Sequence, residues 1–234
     1  MLQLDHLVLE QDDFRLTANW SVPKGLRVAL IGPSGAGKST LLSAIAGFFA
    51  PTSGRVLWDG QDLSALPPGQ RPLSVLFQDQ NLFPHLTVAQ NLGLGLRPDL
   101  RLSTAEKARV EDALDRVDLL GMGGRKPAQL SGGQASRAAL ARVLLRARPL
   151  LLLDEPFSAL GPALKDEMLA LLAEVASETA ATVLMVTHAP GEARAFAQQT
   201  VLVADGAAAP PMPTLRLFSD PPPALRAYLG SGPA

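Results

Sequence analysis

The stretch that most restricts the fold of this chain is GPSGAGKST, at residues 32–40. It follows a short apolar run, Arg27–Ile31, and precedes apolar residues that recur at helical spacing after Lys38. The string satisfies the pattern G-x-x-x-x-G-K-[ST] in the strand–loop–helix context that the pattern requires. Glycines allow a tight turn that points successive N–H groups inward, and the helix N-terminus adds partial positive charge. We therefore expect a phosphate-binding loop between a buried strand and a helix.

Two side chains in this loop are suited to the phosphates of a nucleotide. The Lys38 amine is long enough to reach the β- and γ-phosphates, and the Ser39 hydroxyl is suited to ligate Mg²⁺. The alternative is an ordinary glycine turn before a helix, which the flanking strand and helix patterns disfavour. The predicted nucleotide-binding residues are Gly32, Pro33, Ser34, Gly35, Ala36, Gly37, Lys38, Ser39 and Thr40.

A second apolar run, residues 150–153, ends in the carboxylates Asp154 and Glu155. Ligands of parallel sheets bind at the carboxyl ends of the strands, so we expect both side chains beside the phosphate loop. There Asp154 would hold Mg²⁺ through water, and Glu155 would orient or deprotonate the attacking water. For LLLLDE alone, a solvated strand end would be an equally good interpretation; the other motifs favour catalysis.

The order of the remaining patterns predicts an α/β fold. Strand patterns at residues 150–153 and 182–187 enclose a helical pattern at 163–178, an alternation typical of a parallel sheet with crossover helices. Residues 2–10 and 14–22 are typical of two edge strands joined by a turn. Further strands are predicted at residues 54–60 and 73–78, and further helices at residues 87–96, 103–117, 132–147 and 224–229.

The helical patterns concentrate in one part of the chain. We expect a single domain over residues 1–234, with a core at about 1–85 and 149–210, a helical subdomain at about 86–148 and a short tail at 211–234. A length of 234 residues with 47% hydrophobic and 18% charged residues suits one such folded unit.

Charge and composition exclude several classes of protein. The formal net charge is −1, so no basic field attracts nucleic acid or an anionic membrane, and we expect no nucleic-acid partner. The absence of cysteine excludes disulfides and thiolate metal sites. The N-terminus lacks the pattern of a signal peptide, and no apolar run approaches the roughly 18 residues needed to span a bilayer.

Residues 130–134 read LSGGQ, a serine at a helix start followed by glycines, which is a second phosphate-binding design. With the phosphate loop before it and LLLLDE after it, this string makes the chain similar to the ATP-binding cassette (ABC) ATPases, the motors of ABC transporters. The resemblance covers nearly the whole chain. It implies a P-loop NTPase fold with a RecA-like parallel-sheet core, an antiparallel β edge and an inserted helical subdomain. It also implies ATP as the nucleotide, Mg²⁺ as the metal, and ATP hydrolysis.

The resemblance further implies a homodimer. Two copies pair head-to-tail, and the LSGGQ string of one copy covers the ATP of the other. The signature residues expected to act in trans are Leu130, Ser131, Gly132, Gly133 and Gln134.

The same resemblance assigns roles to two residues that their surroundings alone would not. Gln78 matches the Q-loop glutamine, which contacts Mg²⁺ or water, and His188 matches the switch histidine, which contacts the γ-phosphate. Taken alone, a glutamine at a strand end is usually solvated and a lone histidine is more often structural. The expected catalytic residues are therefore Glu155, His188 and Gln78, and the expected metal ligands are Ser39, Gln78 and Asp154.

The chain departs from the family pattern in three places. The D-loop, residues 158–161, ends in Gly161 where aspartate is common, and Ala189 follows His188 where many relatives carry aspartate. The aromatic residue that stacks on adenine is not obvious; Phe14 is the nearest candidate and Trp20 a weaker one, and either could be core.

A single cassette without a pore resembles the ATP-binding subunits of ABC importers. Residues 67–96 and 150–164 are most similar to those of thiamine importers, which implies thiamine or its phosphates as cargo; sulfate, iron or polyamine importers are the alternative. The resemblance implies integral membrane permease subunits as partners, contacted near residues 83–90, an indirect solute-binding protein, and a peripheral position on the cytoplasmic face of the membrane. A nucleotide-gated interaction module with little turnover is a further alternative, because Gly161 replaces the D-loop carboxylate.

Overall fold

A mixed β-sheet runs through the part of the chain that the structure, a computed structural model, describes: residues 1–77, 82–158 and 160–230. The strands are β1 (Leu2–Gln11), β2 (Phe14–Val22), β3 (Arg27–Ile31), β4 (Ser53–Trp58), β5 (Gln61–Asp62), β6 (Leu73–Leu76), β7 (Leu150–Asp154), β8 (Thr182–Val186), β9 (Gln199–Ala204), β10 (Ala207–Ala208) and β11 (Met212–Pro213). The helices are α1 (Lys38–Ala46), α2 (Val88–Gly93), α3 (Thr104–Arg116), α4 (Gly132–Leu145), α5 (Pro162–Glu178), α6 (Pro190–Phe196), α7 (Thr214–Ser219) and α8 (Pro223–Leu229).

Five strands, in the order β9-β3-β8-β7-β6, are parallel to their neighbours. Their register places Asp154 of β7 opposite Val186 of β8, and Val186 opposite Leu30 of β3. The three strands therefore end at the same level, and the loops that follow them meet at one edge of the sheet. This confirms the predicted parallel core and brings the loops that carry the phosphate-binding and acidic motifs together.

The antiparallel part of the sheet contains the predicted β1–β2 pair, with Leu9 opposite Leu16. The prediction that β1 and β2 are edge strands is wrong, because β4 pairs with the other side of β1 and β10 with the other side of β2. Both partners come from later in the chain. Within the described residues, the sheet ends instead at β5 and β6.

Helices cover both faces of the parallel strands. Leu152 of β7 packs in a cluster with Leu41 of α1, while its neighbour Leu153 packs on the opposite face with Leu172 of α5. This follows from the strand period of two, which sends successive side chains to opposite faces. A third apolar cluster lies among α2, α3 and α4. Among the described residues, no helix combines the length and the apolar character needed to cross a membrane.

Helix α1 is fixed at its C-terminal end by a buried arginine. The guanidinium of Arg71 donates hydrogen bonds to the carbonyl oxygens of Ala44 (2.9 Å) and Ile45 (2.7 Å), and the residue is only 2% exposed. The last carbonyls of a helix lack partners within the helix, and a cation there also matches the helix dipole. Arg71 thus anchors the helix whose other end carries the phosphate loop.

The described part of the C-terminal tail, residues 211–230, is more ordered than its proline-rich sequence indicates. The predicted last helix is confirmed as α8, and the tail also contains α7, which the sequence did not reveal. Leu217 and Phe218 of α7 and Leu225 of α8 are buried against the same cluster as β8 and α5. The two short helices are therefore packed on the core.

Candidate active site

The phosphate loop joins β3 to α1, as predicted. Its backbone needs glycine at two positions that the structure makes explicit. Gly32 has φ of 149°, and a Cβ there would lie 2.0 Å from the carbonyl oxygen of Val203 on β9. Gly37, with φ of 96°, precedes the first residue of α1, and a Cβ there would lie 2.5 Å from the ring of Phe14. Both glycines allow the close approach of the loop to its surroundings.

The Lys38 side chain is folded over the phosphate loop. Its Nζ donates hydrogen bonds to the carbonyl oxygens of Gly32 (2.8 Å) and Pro33 (2.9 Å). Burial lowers the pKa of this amine, and the nearby charges of Glu155 and Asp154 act in the opposite direction. The amine is thus a desolvated cation held by neutral acceptors, which an anionic phosphate can replace with a stronger interaction.

Ser39 and Asp154 are in direct contact. The Ser39 hydroxyl, in the first turn of α1, donates to Oδ1 of Asp154 at the end of β7 (2.9 Å). Burial raises the pKa of Asp154, and the hydrogen bond from Ser39 partly offsets this effect. The two predicted metal ligands that the structure describes therefore lie together beside the phosphate loop.

Glu155 faces His188, the predicted switch histidine. Its Oε2 lies 3.0 Å from Nδ1 of His188. Glu155 has φ of 46°, a left-handed conformation that turns the chain sharply after β7, while its own N–H donates to the carbonyl of Val186 (3.1 Å). Left-handed backbone at a residue other than glycine is uncommon and concentrates at functional sites. The turn directs the carboxylate toward the loop after β8.

The loop after β8 is held by side chains that the sequence did not single out. The Thr187 hydroxyl donates to Glu192, whose carboxylate also pairs with Lys165 of α5 (2.8 Å). On the other side, the hydroxyl of Tyr228 in α8 donates to the carbonyl oxygen of His188. No motif marks these residues, and the contacts of Lys165 with Glu192 and of Tyr228 with His188 join segments far apart in the chain.

The chain was compared with known proteins, and the comparison shows its family. The model of the family described as ABC transporter matches residues 16–158. The chain is 66% identical to the thiamine import ATP-binding protein ThiQ of Cereibacter sphaeroides over 98% of this chain and 100% of that protein. It is 58% identical to ThiQ of Ruegeria sp., over 99% and 100%, and 52% identical to ThiQ of Yersinia pseudotuberculosis, over 88% and 87%.

The chain belongs to the ABC transporter family. Two solved dimeric structures of the ATP-binding cassette MJ0796 are similar to it, with TM-scores of 0.80 and 0.79 and 30% identity over 92% of this chain and 99% of that one. One of them is bound to ADP and phosphate. The expected ABC ATPase fold is therefore confirmed, and this ABC cassette binds and hydrolyses ATP.

The signature string of this ABC cassette forms the predicted helix start. Ser131 is the N-cap of α4: its hydroxyl accepts from Gln134 N–H (3.3 Å), and its own N–H donates to the Gln134 side chain (3.0 Å). A Cβ added at Gly132 would meet nothing within 4 Å, whereas one at Gly133 would meet Leu164 of α5. Among the described residues, no hydrogen bond joins this turn to the phosphate loop. One face of the turn is open.

Other predicted positions of the ABC cassette have mixed outcomes. Gln78 and Ala159 lie outside the described residues. Trp20 does not fit the predicted adenine-stacking role, because it is 7% exposed and its indole N–H donates to the carbonyl of Ala208 (3.1 Å). Phe14 is half-buried with its ring against Gly37, so it remains the candidate for adenine. Gly161 is the N-cap of α5.

Proposed function

We propose that this chain is the ATP-hydrolysing subunit of an importer for thiamine or a thiamine phosphate. The observation that carries the proposal is the meeting of Lys38, the Ser39–Asp154 pair and the Glu155–His188 pair at one edge of the sheet. The cargo rests on the names of the relatives, which are thiamine import ATP-binding proteins that the chain matches over their full lengths. The chemistry of the site does not select the cargo, because the motor does not bind it.

The Ser39–Asp154 pair supports the proposal of a Mg²⁺ site. Both side chains offer oxygen, which Mg²⁺ prefers; the Ser39 hydroxyl would ligate the ion directly, and Asp154 would hold it through water. The observed separation of Ser39 Oγ and Asp154 Oδ1 is 2.9 Å. Gln78 is proposed as the third protein ligand. The bound ion would neutralise charge on the β- and γ-phosphate oxygens.

The remaining side chains fit the hydrolytic step. Lys38 and the loop N–H groups hold the β- and γ-phosphates. Glu155 accepts a proton as the oxygen of water attacks the γ-phosphorus, and the bond to the bridging oxygen of ADP breaks. As an imidazolium, His188 would donate from Nδ1–H to the ionised carboxylate of Glu155 and from Nε2–H to an oxygen of the γ-phosphate. Gln78 is proposed to orient the same water.

We further propose that the complete site forms between two copies of the chain. Leu130, Ser131, Gly132, Gly133 and Gln134 of one copy would cover the ATP of the other. The open face at Gly132 and the N-terminus of α4 suit an anionic phosphate supplied by a partner. The solved relatives are dimers. The helical subdomain, residues 86–148, would move α4 toward the partner when ATP binds.

The membrane partners are proposed to dock at residues 83–90 and the groove beside them. Phe83 is 47% exposed, and the guanidinium of Arg142 lies over its ring. The groove, about 240 Å³, is lined by apolar atoms of Val75 and Leu94. Such an apolar surface with cations suits an amphipathic segment of a permease. The chain would thereby sit on the cytoplasmic face of the membrane, with the solute-binding protein on the other side.

The test is phosphate release by this chain assembled with its permease subunits in vesicles. We expect that a thiamine-loaded binding protein stimulates release, whereas sulfate-, iron- and polyamine-loaded binding proteins do not. If a binding protein loaded with sulfate, iron or polyamine stimulates release instead, that solute is the cargo and thiamine is not. Glu155→Gln is the control for hydrolysis by this site. Background rates in both the wild type and the control would favour an ATP-gated interaction module over a motor.

A further inference from the structure

Helix α8, in the C-terminal tail, contacts the loop that follows β8. The hydroxyl of Tyr228 donates a hydrogen bond to the backbone carbonyl oxygen of His188, 40 residues earlier in the chain. The same helix lines a cleft of about 680 Å³ that the phosphate loop, at residues 33–36, also lines. A tail element therefore contacts the backbone of a residue that faces Glu155.

The position of this hydroxyl is fixed by packing. Leu225, three residues before Tyr228, is fully buried beside Leu217 and Phe218 of α7, and the ring of Tyr228 packs against the same cluster. Arg226 holds the start of the helix through the carbonyl of Pro221 (2.7 Å). Because α8 is anchored to the core at these points, Tyr228 presents a donor at a defined place.

The hydroxyl also remains a donor over the working range of pH. Burial raises the pKa of Tyr228, and the negative charge of Glu155 acts in the same direction. Both effects keep the phenol protonated, so the bond to the carbonyl of His188 does not depend on small changes in pH.

The His188 ring itself has little support. Its side chain is 56% exposed, and Glu155 is its hydrogen-bond partner. The direction of an exposed side chain follows the orientation of its backbone, which here is set by Thr187 on one side and by the carbonyl bond to Tyr228 on the other. Loss of either bond would let the ring leave the geometry that the reaction needs, which has to be held within about 0.5 Å.

We propose that Tyr228 is a positioning residue for ATP hydrolysis, acting through the backbone of His188. The proposal rests on the proposed function, because it takes His188 as the contact of the γ-phosphate. It assigns to the C-terminal helix a part in the chemistry that no motif of the sequence indicates.

The first experiment is Tyr228→Phe, which removes the hydroxyl and keeps the ring. We expect kcat for ATP to fall about threefold to tenfold, the effect of one hydrogen bond, with KM changed less than about twofold. Ser219→Ala is the matched control, since it also removes a tail hydroxyl that donates to a carbonyl, that of Arg216 within α7. That variant should keep the wild-type kcat.

The second experiment repeats Tyr228→Phe in a His188→Ala background. If Tyr228 acts through His188, adding Tyr228→Phe to His188→Ala should not lower kcat further. If the two residues act independently, the two reductions in kcat should multiply. An equal loss in both backgrounds would overturn the proposal, and so would a wild-type kcat in Tyr228→Phe.

A third measurement does not depend on hydrolysis. The chain has three histidines, and the ring signal of His188 in a ¹H–¹³C spectrum can be assigned by its disappearance in His188→Ala. Tyr228→Phe should shift this signal without nucleotide and leave that of His6 in place; an unmoved His188 signal would overturn the proposal. If Tyr228→Phe shifts the His188 signal but the wild-type chain hydrolyses no ATP, the contact is supported and the proposed function is contradicted.

Discussion

Nδ1 of His188 lies 3.0 Å from Oε2 of Glu155, although 33 residues separate the two in the chain. The pairing of β7 with β8 produces this contact. It sets Asp154 opposite Val186, so the loops that follow the two strands begin at the same level of the sheet. The left-handed backbone of Glu155 then directs its carboxylate toward the loop after β8. The fold thus places the proposed base, Glu155, next to the proposed switch histidine, His188.

We expect Glu155→Gln to slow phosphate release about 10²-fold to 10⁴-fold, the usual contribution of a general base. The amide can keep a hydrogen bond to His188 but cannot accept the proton of water. ATP affinity should change little, since the phosphate contacts come from the loop. Phosphate release and nucleotide binding measure the two effects. Glu174→Gln, the same change at a carboxylate that is 63% exposed on α5, should behave as the wild type.

Lys38→Ala should lose ATP affinity and turnover. The Lys38 amine sits over the carbonyls of Gly32 and Pro33, and each charge-assisted bond it makes to phosphate is worth about 1.5–3 kcal/mol. We therefore expect affinity to fall at least about tenfold. Equilibrium binding of ATP is the measurement, with Lys107→Ala on the exposed side of α3 as the control. Unchanged turnover in Lys38→Ala would contradict the assignment of the loop.

Local patterns in the sequence were sufficient for the elements that carry the motifs. The bounds of β3 and the start of α1 agree with the prediction, because a short apolar run, a glycine loop and helical spacing are all local signals. The capping boxes at Ser103 and Ser131 are equally local, since each joins residues three apart. The meeting of the acidic strand end with the phosphate loop could be predicted from the rule for parallel sheets.

Contacts between distant segments could not be predicted in this way. The sequence did not reveal β9, although it lies beside β3, because its short apolar run precedes a proline-rich tail that resembles loop. The sequence made Trp20 a candidate for stacking on adenine. The structure places it in the core, where its indole N–H donates a hydrogen bond to the carbonyl of Ala208, 188 residues later. Arg71 resembles an ordinary surface cation in sequence, and only the packing of α1 shows why it is buried.

Asp154→Asn should stabilise the protein while abolishing hydrolysis. Burial raises the pKa of Asp154, which means that its ionised form is unfavourable in the folded state. Asparagine removes this charge and keeps an acceptor for the Ser39 hydroxyl. A gain of about 1 kcal/mol would raise Tm by about 2–4 °C for a chain of this size. Thermal unfolding without nucleotide and phosphate release are the two measurements.

The stabilisation by Asp154→Asn should depend on pH with a definite sign. Below the usual carboxyl pKa of 3.8, Asp154 is neutral in both the folded and the unfolded chain, so the variant gains nothing. As the pH rises from 3.8 through the raised folded pKa, the unfolded chain ionises first and the wild type loses stability. The difference in Tm should therefore be full at pH 7.5 and shrink toward pH 4. A difference independent of pH would show that charge is not its cause.

Gly161→Asp should be tolerated and should stabilise α5. Gly161 is the N-cap of that helix with φ of −68° and ψ of 159°, a conformation that aspartate adopts readily, and a Cβ there would meet nothing within 4 Å. Aspartate can accept a hydrogen bond from the first turn, which glycine cannot, for a gain of a few tenths of a kcal/mol, roughly 1 °C in Tm. Gly161→Ala, which adds a side chain without an acceptor, should lower Tm instead. If the aspartate variant gains stability but loses phosphate release, then the glycine is required for turnover itself, because neither steric conflict nor loss of the helix could explain the loss.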